Sequence, residues 1–458
     1  MIIISFPYGM SVRNLLGSTF INYNINEKLI FFGNFKNKEK LNIINKQTQK
    51  KISIKTFKYS LLIKVHRFIF FILTSLETNY KINKFENKNF TTLKLIKKKL
   101  NKNFSNYILN YYKFSFSKIA SFLTFNNYLL ISIKFLLKFA LALMSFKYII
   151  ICLYYKPRKI FFTHIHASQD KGLLIAAKIL NIETIGLVHS WDNPTSKTLI
   201  PFKFDKILCW NKIIQDEMIS IYNYDINRVF IVGIPQFDIY NKYKLGGKKD
   251  FVDLKLFKIK KKYNVIFFCP SPAFVPMQTK LIEEIVKICK DRQDVNLVIR
   301  THPGQSINLD NLKNIDSVFI DCPSNLYFAD IAKIDLAAEF NDVYFINILM
   351  NSDLTINCFS TTSIDSLYFD IPNISINYDE NEEYFNSISF YHDWKHYKDL
   401  LSFNSISLAN SNKKLKILID KYLDNKKFLR DERLDTINSY SPRNKGDSGL
   451  KIAEEVFS

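Results

Sequence analysis

Residue types that could do chemistry gather in four short clusters, each directly after an apolar run. The densest runs from His189 to Lys197 and sets an imidazole, a carboxylate, hydroxyls, an amide and a lysine on turn-forming sequence. His189 could act as a general base, because an imidazole with a pKa of about 6.5 is neutral near cell pH and can accept a proton. Asp192 is the rival base, or the group that orients the imidazole. Asn193 and Lys197 are acceptor-side candidates, joined by Ser11 and Arg13 near the amino terminus. In the second cluster, His164 to Asp170, strand-like alternation sends His164 and His166 to one face. His166 is a further catalytic candidate; the plain alternative is a pair of loop histidines without chemistry.

The third cluster is Arg300, Thr301, His302, Pro303 and Gly304. Arg300 offers a planar, permanently charged fork for phosphate. His302 can donate to a phosphate oxygen as charge builds on a leaving group, and Pro303 and Gly304 turn the chain. A surface turn is the plain alternative. The fourth cluster runs through Ser360, Thr361, Thr362, Ser363 and Asp365, where hydroxyls and the N–H groups of a helix start make an anion site. A cap alone would also explain it, with Thr362 and Asp365 forming a Thr-x-x-Asp variant of the capping box. Asp365, Pro270 and Ser271 are candidates to contact the ribose or base of a nucleotide.

These clusters need elements to hold them. Met1–Phe6 reads as a strand, a helix opens near Ser11, and Lys28–Phe32 reads as a second strand. From Lys159 strands alternate with helices: strands at Ile160–Thr163, Thr184–Val188, Lys206–Trp210 and Val229–Val232, helices at Gly172–Leu180 and Ile213–Tyr222. After a lysine-rich stretch with the Gly246-Gly247 pair, read as a linker or exposed loop, the pattern resumes. Strands fall at Val265–Phe268, Asn296–Ile299, Leu354–Ile356 and Ile374–Ile376, and helices at Thr279–Cys289 and Ser363–Phe369. Such alternation implies parallel sheets covered on both faces, so ligands are expected beyond the carboxyl ends of the strands.

At 458 residues the chain exceeds one ordinary core, and 47% hydrophobic with 23% charged residues is globular composition. The expected domains are an amino-terminal Rossmann-like acceptor lobe at 1–245 with a basic amphipathic insertion at about 36–155, a carboxy-terminal Rossmann-like nucleotide-donor lobe at 262–430, and a terminal segment at 431–458, read as a helix packing back near the cleft. The net charge of +22 is uneven: residues 1–160 hold 28 Lys+Arg against 4 Asp+Glu, the remainder 36 against 38. A basic region reads as a contact for nucleic acid or anionic lipid. Lys134 and Lys138, four apart, share one helical face and leave Leu, Phe and Ile on the other, which favours lipid. An ordinary domain helix packed on a sheet is the alternative. No helix-turn-helix, zinc-finger or RNA-recognition signature supports nucleic acid. The six cysteines lack disulfide or zinc spacing, and the first residues read as a strand and not as a secretory signal. A cytoplasmic setting is expected, peripheral to the membrane's inner face.

The signatures of P-loop ATPases, classical dinucleotide binders, α/β-hydrolases and zincins are absent, as is any D-x-D pair. The ordered segments "HSWDNPTSK", "FDKILCWN", "VFIVGIPQFDIY", "RTHPG", "SDLTINCFSTTSIDSLYFDIP" and "GDSGLKIAEEV" resemble the GT-B superfamily of glycosyltransferases. The likeness is to the bacterial surface-polysaccharide enzymes and the CDP-glycerol glycerophosphotransferases, over about residues 159–458. The opening "SFPYGMSVRNLL" is similar to the first strand and helix of that fold.

The resemblance implies an α/β, GT-B-like fold whose two Rossmann-like lobes face each other across a cleft, and catalysis without a metal or cofactor. It places His189 at the catalytic-base position and His302 at the His-Pro element that contacts donor phosphate. Ser360 and Thr361 match the Ser-Ser/Thr pair on the same phosphates, and Asp365 the acidic residue, often Glu, that holds the ribose. The expected function is transfer of a sugar or polyol phosphate from a nucleotide-activated donor to a membrane-linked or glycan acceptor in surface polysaccharide synthesis. A nucleotide-sugar epimerase of the same fold and a non-enzymatic membrane- or polyanion-binding scaffold are the alternatives.

Overall fold

The computed structural model describes residues 1–24, 27–33, 52–55, 65, 68–70, 72–73, 76, 127–167, 169–197, 199–200, 202–246, 261–272, 274–276, 278–302, 307, 309–312, 315–323, 339–379, 387–442 and 445–458. Most of the lysine-dense stretch 36–118, residues 247–260 of the expected linker, and Pro303 and Gly304 lie outside them. Packing divides the chain into two compact units, one built from residues 1–236 and 447–458, the other mainly from residues 237–446.

In the first unit, β1 (Ile2–Phe6), β2 (Leu29–Gly33), β3 (Ile52–Lys55), β4 (Lys159–Phe162), β5 (Glu183–Leu187), β6 (Lys206–Cys209) and β7 (Val229–Ile231) form one parallel sheet in the order β3-β2-β1-β4-β5-β6-β7. The central strands read as continuous apolar runs because helices cover both faces: Ile2, Ile3, Ile4 and Phe6 of β1 are wholly buried. The helices are α1 (Gly9–Leu16), α2 (Asn127–Met144), α3 (Phe146–Tyr155), α4 (Lys171–Ile179), α5 (Asn193–Ser196) and α6 (Lys212–Ser220). Helix α3 stops where Lys156 turns left-handed at φ 46°, its N–H still bonded to the Cys152 carbonyl, and Pro157 prevents continuation.

The second unit has α7 (Phe237–Gly246) and six parallel strands: β8 (Tyr263–Phe268), β9 (Val295–Arg300), β10 (Val318–Asp321), β11 (Leu354–Asn357), β12 (Asn373–Ile376) and β13 (Ile406–Ala409). Their order is β10-β9-β8-β11-β12-β13. Each sheet therefore grows outward in both directions from its first strand, as in a doubly wound fold, with the reversal between β1 and β4 and between β8 and β11. The helices that follow α7 are α8 (Thr279–Asp291), α9 (Glu339–Met350), α10 (Thr362–Tyr368), α11 (Ile388–His392), α12 (Lys395–Leu401), α13 (Asn412–Asp424) and α14 (Arg430–Tyr440). In α8, Leu281, Ile282, Ile285, Val286, Ile288 and Cys289 repeat at helical spacing and are all buried on the sheet.

The expected terminal segment 431–458 divides. Helix α14 belongs to the second unit, where buried Arg433 donates to Asp370 and to the carbonyls of Phe428 and Lys426. The last helix, Ser448–Phe457, belongs to the first: Ile452, Ala453 and Val456 pack in one core with Ile2, Val12 and Phe20. Gly449 permits that approach, since a Cβ there would stand 2.2 Å from the Phe20 backbone nitrogen.

Candidate functional site

Strands β1, β4 and β5 are neighbours and parallel, so the segments leaving their carboxyl ends come together. Tyr8 follows β1, His164 and His166 follow β4, and His189 follows β5. The His164 and His189 rings stack, with centroids 4.8 Å apart and 10° between their planes. Tyr8 stands edge-on to His164 at 5.6 Å, and His166 at 6.2 Å. Strand β4 ends at Phe162, so the two histidines of the His-Ile-His run converge through a turn and not by strand alternation.

Hydrogen bonds fix the tautomers. The His166 N–H donates to His164 Nδ1 at 3.1 Å, which leaves the proton of a neutral His164 on Nε2. Tyr222 Oη donates to the Pro194 carbonyl at 3.2 Å and lies 2.9 Å from His166 Nε2. With the hydroxyl proton spent on Pro194, His166 donates from Nε2. Its buried Nδ1 then holds a lone pair with no hydrogen-bond partner among the described residues.

Burial pushes all three imidazoles down. For His189, burial and the Arg13 charge bring the pKa to about 4, opposed by Asp192 and by a hydrogen bond with the Thr163 backbone. His164 and His166 lie well below the usual histidine value, first through burial and then through neighbouring positive groups. The trio is therefore neutral at neutral pH, stacked rings and all.

The other first-unit candidates are placed less uniformly. Asp192 accepts from Ser196 Oγ at 2.7 Å and from Asn193 Nδ2 at 3.4 Å, so its carboxylate closes the short helix α5 and acts on His189 as a nearby charge. Asn193 is buried and Lys197 exposed. The Ser11 hydroxyl is buried without a hydrogen-bond partner among the described residues. One residue escaped the sequence reading: Lys171, 4% exposed, donates from Nζ to the Ile165 carbonyl at 2.7 Å and lies over the Phe70 ring at 4.9 Å. Burial pushes its ammonium down, with Asp170 opposing. It braces the turn carrying His164 and His166, and nothing in its apolar helix context marks it as buried.

In the second unit, Pro270, Arg300 to His302 and Ser360 to Thr362 follow the adjacent strands β8, β9 and β11. Arg300 meets the expected position at a strand end, but its guanidinium is engaged. It pairs with Asp321 of β10, is 7% exposed, and lies 5.4 Å from the Phe345 ring and 5.7 Å from that of Tyr344. The Thr301 N–H donates to the Asp321 carbonyl at 2.9 Å, so this corner ties β9 to β10. His302 is half-buried, and burial lowers its pKa.

At the start of α10 the acceptor is Ser360, whose Oγ takes the Thr362 N–H at 3.2 Å. Thr361 already has helical angles, and Thr362 Oγ1 accepts from Asn357 Nδ2 at 3.1 Å. The capping box expected of Thr362 and Asp365 is not formed; Asp365 is buried and accepts from Tyr240 Oη at 3.2 Å. With only seven residues in α10, anion binding here would rest on the hydroxyls and local N–H groups. A buried network holds the turn from beneath: Ser363 bonds Asn357 and Asn373, while Ser375 bonds the Cys358 carbonyl, His392 Nε2 at 2.9 Å and Tyr397 Oη at 2.8 Å.

Beside Ser360 stands an aromatic wall. Phe359 stacks on Tyr391 at 4.3 Å, and Phe274 and Trp394 pack edge-on to Tyr391 at 5.3 and 5.1 Å. These residues are far apart in sequence, and only the fold brings them together. On the β8 side, Gln278 Nε2 donates to the Pro270 carbonyl at 3.2 Å, and the Ser271 carbonyl accepts the Phe274 and Val275 N–H groups. Among the described residues no three His, Cys, Asp or Glu side chains converge as a metal-ligand set.

No family model matches the sequence, and no curated protein matches it. Solved structures do match in fold. The UDP-GlcNAc 2-epimerase from Neisseria meningitidis bound to UDP-GlcNAc is similar with a TM-score of 0.53 at 10% identity, over 99% of this chain and 98% of that one. The S. aureus MnaA-UDP co-structure gives 0.54 at 11%, over 100% and 95%. The UDP-GlcNAc 2-epimerase from Methanocaldococcus jannaschii gives 0.52 at 12%, over 99% and 98%. The chain has the two-domain α/β fold of the GT-B type that its motifs resemble.

Proposed function

We propose that the chain is a nucleotide-sugar enzyme that works as a metal-independent glycosyltransferase or glycerophosphotransferase, using a membrane-linked or glycan acceptor in surface polysaccharide synthesis on the cytoplasmic side. The observation that carries this reading is His189, held neutral and stacked on His164 at the carboxyl end of the first sheet. A neutral imidazole accepts the proton of an acceptor hydroxyl while the acceptor oxygen bonds to the transferred carbon or phosphorus. The bond from that centre to the nucleotide phosphate breaks, and the nucleotide leaves with the electron pair. The second unit, taken by itself, offers His302 and the hydroxyls of Ser360, Thr361 and Thr362 as partners for the phosphates of a nucleotide, in place of a metal. Pro270, Ser271 and Asp365 border the nucleoside, and the Phe359–Tyr391 stack offers its base an aromatic face. Arg300 supports this corner through Asp321.

An epimerase on the same fold is the second reading, favoured by the solved UDP-GlcNAc 2-epimerases that share the fold. It would use the same base on a sugar C–H and need no acceptor. The two separate when the purified chain receives UDP-, CDP- or GDP-linked donors with and without glycan or lipid-linked acceptors. Nucleotide release that depends on acceptor supports transfer. Isomerised sugar formed from donor alone would sink transfer and establish epimerisation.

A further inference from the structure

We infer that α2 and α3 form a basic, apolar face that lies in the interface of an anionic lipid bilayer without crossing it. Eleven of the twenty exposed large apolar side chains among the described residues fall between Tyr128 and Tyr154. Ile131, Phe135, Phe139, Leu143, Phe146 and Ile150 recur every three or four residues and are each more than half exposed, Phe135 at 69%. That spacing draws one stripe along both helices. Isolated exposed apolar residues are ordinary, but a contiguous stripe of this length marks an interaction surface.

The opposite stripe is fixed to the protein. Leu141 is wholly buried with Ile175 of α4, and Tyr148, Ile151 and Cys152 are buried on the inner side of α3. Gly172 of α4 leaves room for the Tyr148 ring, which would stand 2.3 Å from a Cβ there. Among the described residues no single helix is long and apolar enough to cross a membrane. The pair bends by 58° at Ser145, whose Oγ donates back to the Leu141 carbonyl at 2.7 Å. Taken together α2 and α3 have the length and apolar composition of a span, but one side is anchored on α4 and the 58° bend breaks the run, so the pair presents a face to a surface.

Charge selects the occupant. Residues 127–158 contain no Asp or Glu but carry Lys134, Lys138, Lys147, Lys156 and Arg158, the last already paired with Glu27. Lys147 and Lys156 are exposed, whereas Lys134 and Lys138 are half-buried toward the inner side of α2, with the Lys138 ammonium 5.6 Å from the Phe202 ring. A second copy of the chain would bring the same lysines against themselves. Anionic headgroups would neutralise them. This inference does not depend on the catalytic reading.

The test is flotation of the full chain with phosphatidylcholine vesicles and with vesicles containing about one third phosphatidylglycerol. The chain should float with the anionic vesicles and bind the neutral ones at least about tenfold less. Phe135→Glu with Phe139→Glu should lower the floating fraction about tenfold, as should the separate pair Leu143→Glu with Phe146→Glu. Ile417→Glu, an exposed apolar site in the second unit, should change nothing. All these side chains face solvent, so the variants should melt as the parent does. Failure to float with either vesicle, or undiminished flotation of both glutamate pairs, overturns the inference. So does a dimer in solution that the glutamate pairs convert to monomer, which would make the face a contact between copies.

Discussion

His189 and His164 share a stack that tolerates protons poorly, and two outcomes follow at the scale of single residues. His189→Ala should lower acceptor-dependent nucleotide release by about 10²- to 10⁴-fold with little change in donor affinity, as expected for loss of a general base. Steady-state kinetics with donor and acceptor varied separately would check it. The same burial makes the fold sensitive to acid. A histidine whose folded pKa is about 4 against an ordinary value of 6.5 binds fewer protons than in the unfolded chain between those two values. Its neutral form contributes stability that is fully present above the unfolded value and is lost as pH falls through that window. His392, also pushed to about 4 by burial, adds to the slope. Melting temperature should therefore fall steeply between about pH 6.5 and pH 4, and less steeply in a His392→Asn variant that still folds.

The histidines were legible because each directly follows an apolar run, and a strand end in a parallel sheet is where ligands bind. The state of the side chains was not. Arg300 looked free for phosphate, yet Asp321, twenty-one positions on, holds it; Asp365 looked like a cap and lies against Tyr240 instead. Partners brought by tertiary contact leave no local spacing to read.

At the scale of elements, close approaches set the tolerances. Gly449→Ala should push the carboxy-terminal helix off the Ser18–Phe20 turn and cost about 1–3 kcal/mol in a denaturant titration, because the clash is with backbone. Asp321→Ala should cost more, about 3–5 kcal/mol, by leaving the Arg300 guanidinium buried and unpaired between β9 and the rings of α9. Replacing Arg300 and Asp321 together with apolar residues of similar volume should recover much of that loss. The strands with no counterpart in the sequence reading, β3, β10 and β13, are all four residues long and all at sheet edges. Short edge strands carry little periodicity, whereas central strands such as β1 and β8 announce themselves as apolar runs.

For the whole molecule, the sequence carried the two-sheet plan through its alternation of strands and helices, and six scattered motifs resembled the GT-B superfamily. Where the chain changes unit was hidden, since the polar helix Arg430–Tyr440 and the amphipathic helix Ser448–Phe457 are seen to join different units only when their buried faces meet different cores. The charge asymmetry and its apolar company were plain from the sequence, whereas the exposure of those side chains on α2 and α3 emerged only in three dimensions.

The central claim is that the second unit binds a nucleotide by its phosphates beside Ser360 and His302. It is tested most directly by thermal unfolding of the full chain with UDP-, CDP-, GDP- and CMP-linked donors. A bound ligand stabilises the folded state by about 2.7 kcal/mol at about a hundredfold excess over Kd, so one donor class should raise the melting temperature by several degrees. His302→Ala and Ser360→Ala should each shrink that rise while leaving the unliganded melting temperature nearly unchanged. A melting temperature that no nucleotide-linked donor moves, or a full rise that survives both substitutions, would contradict the account.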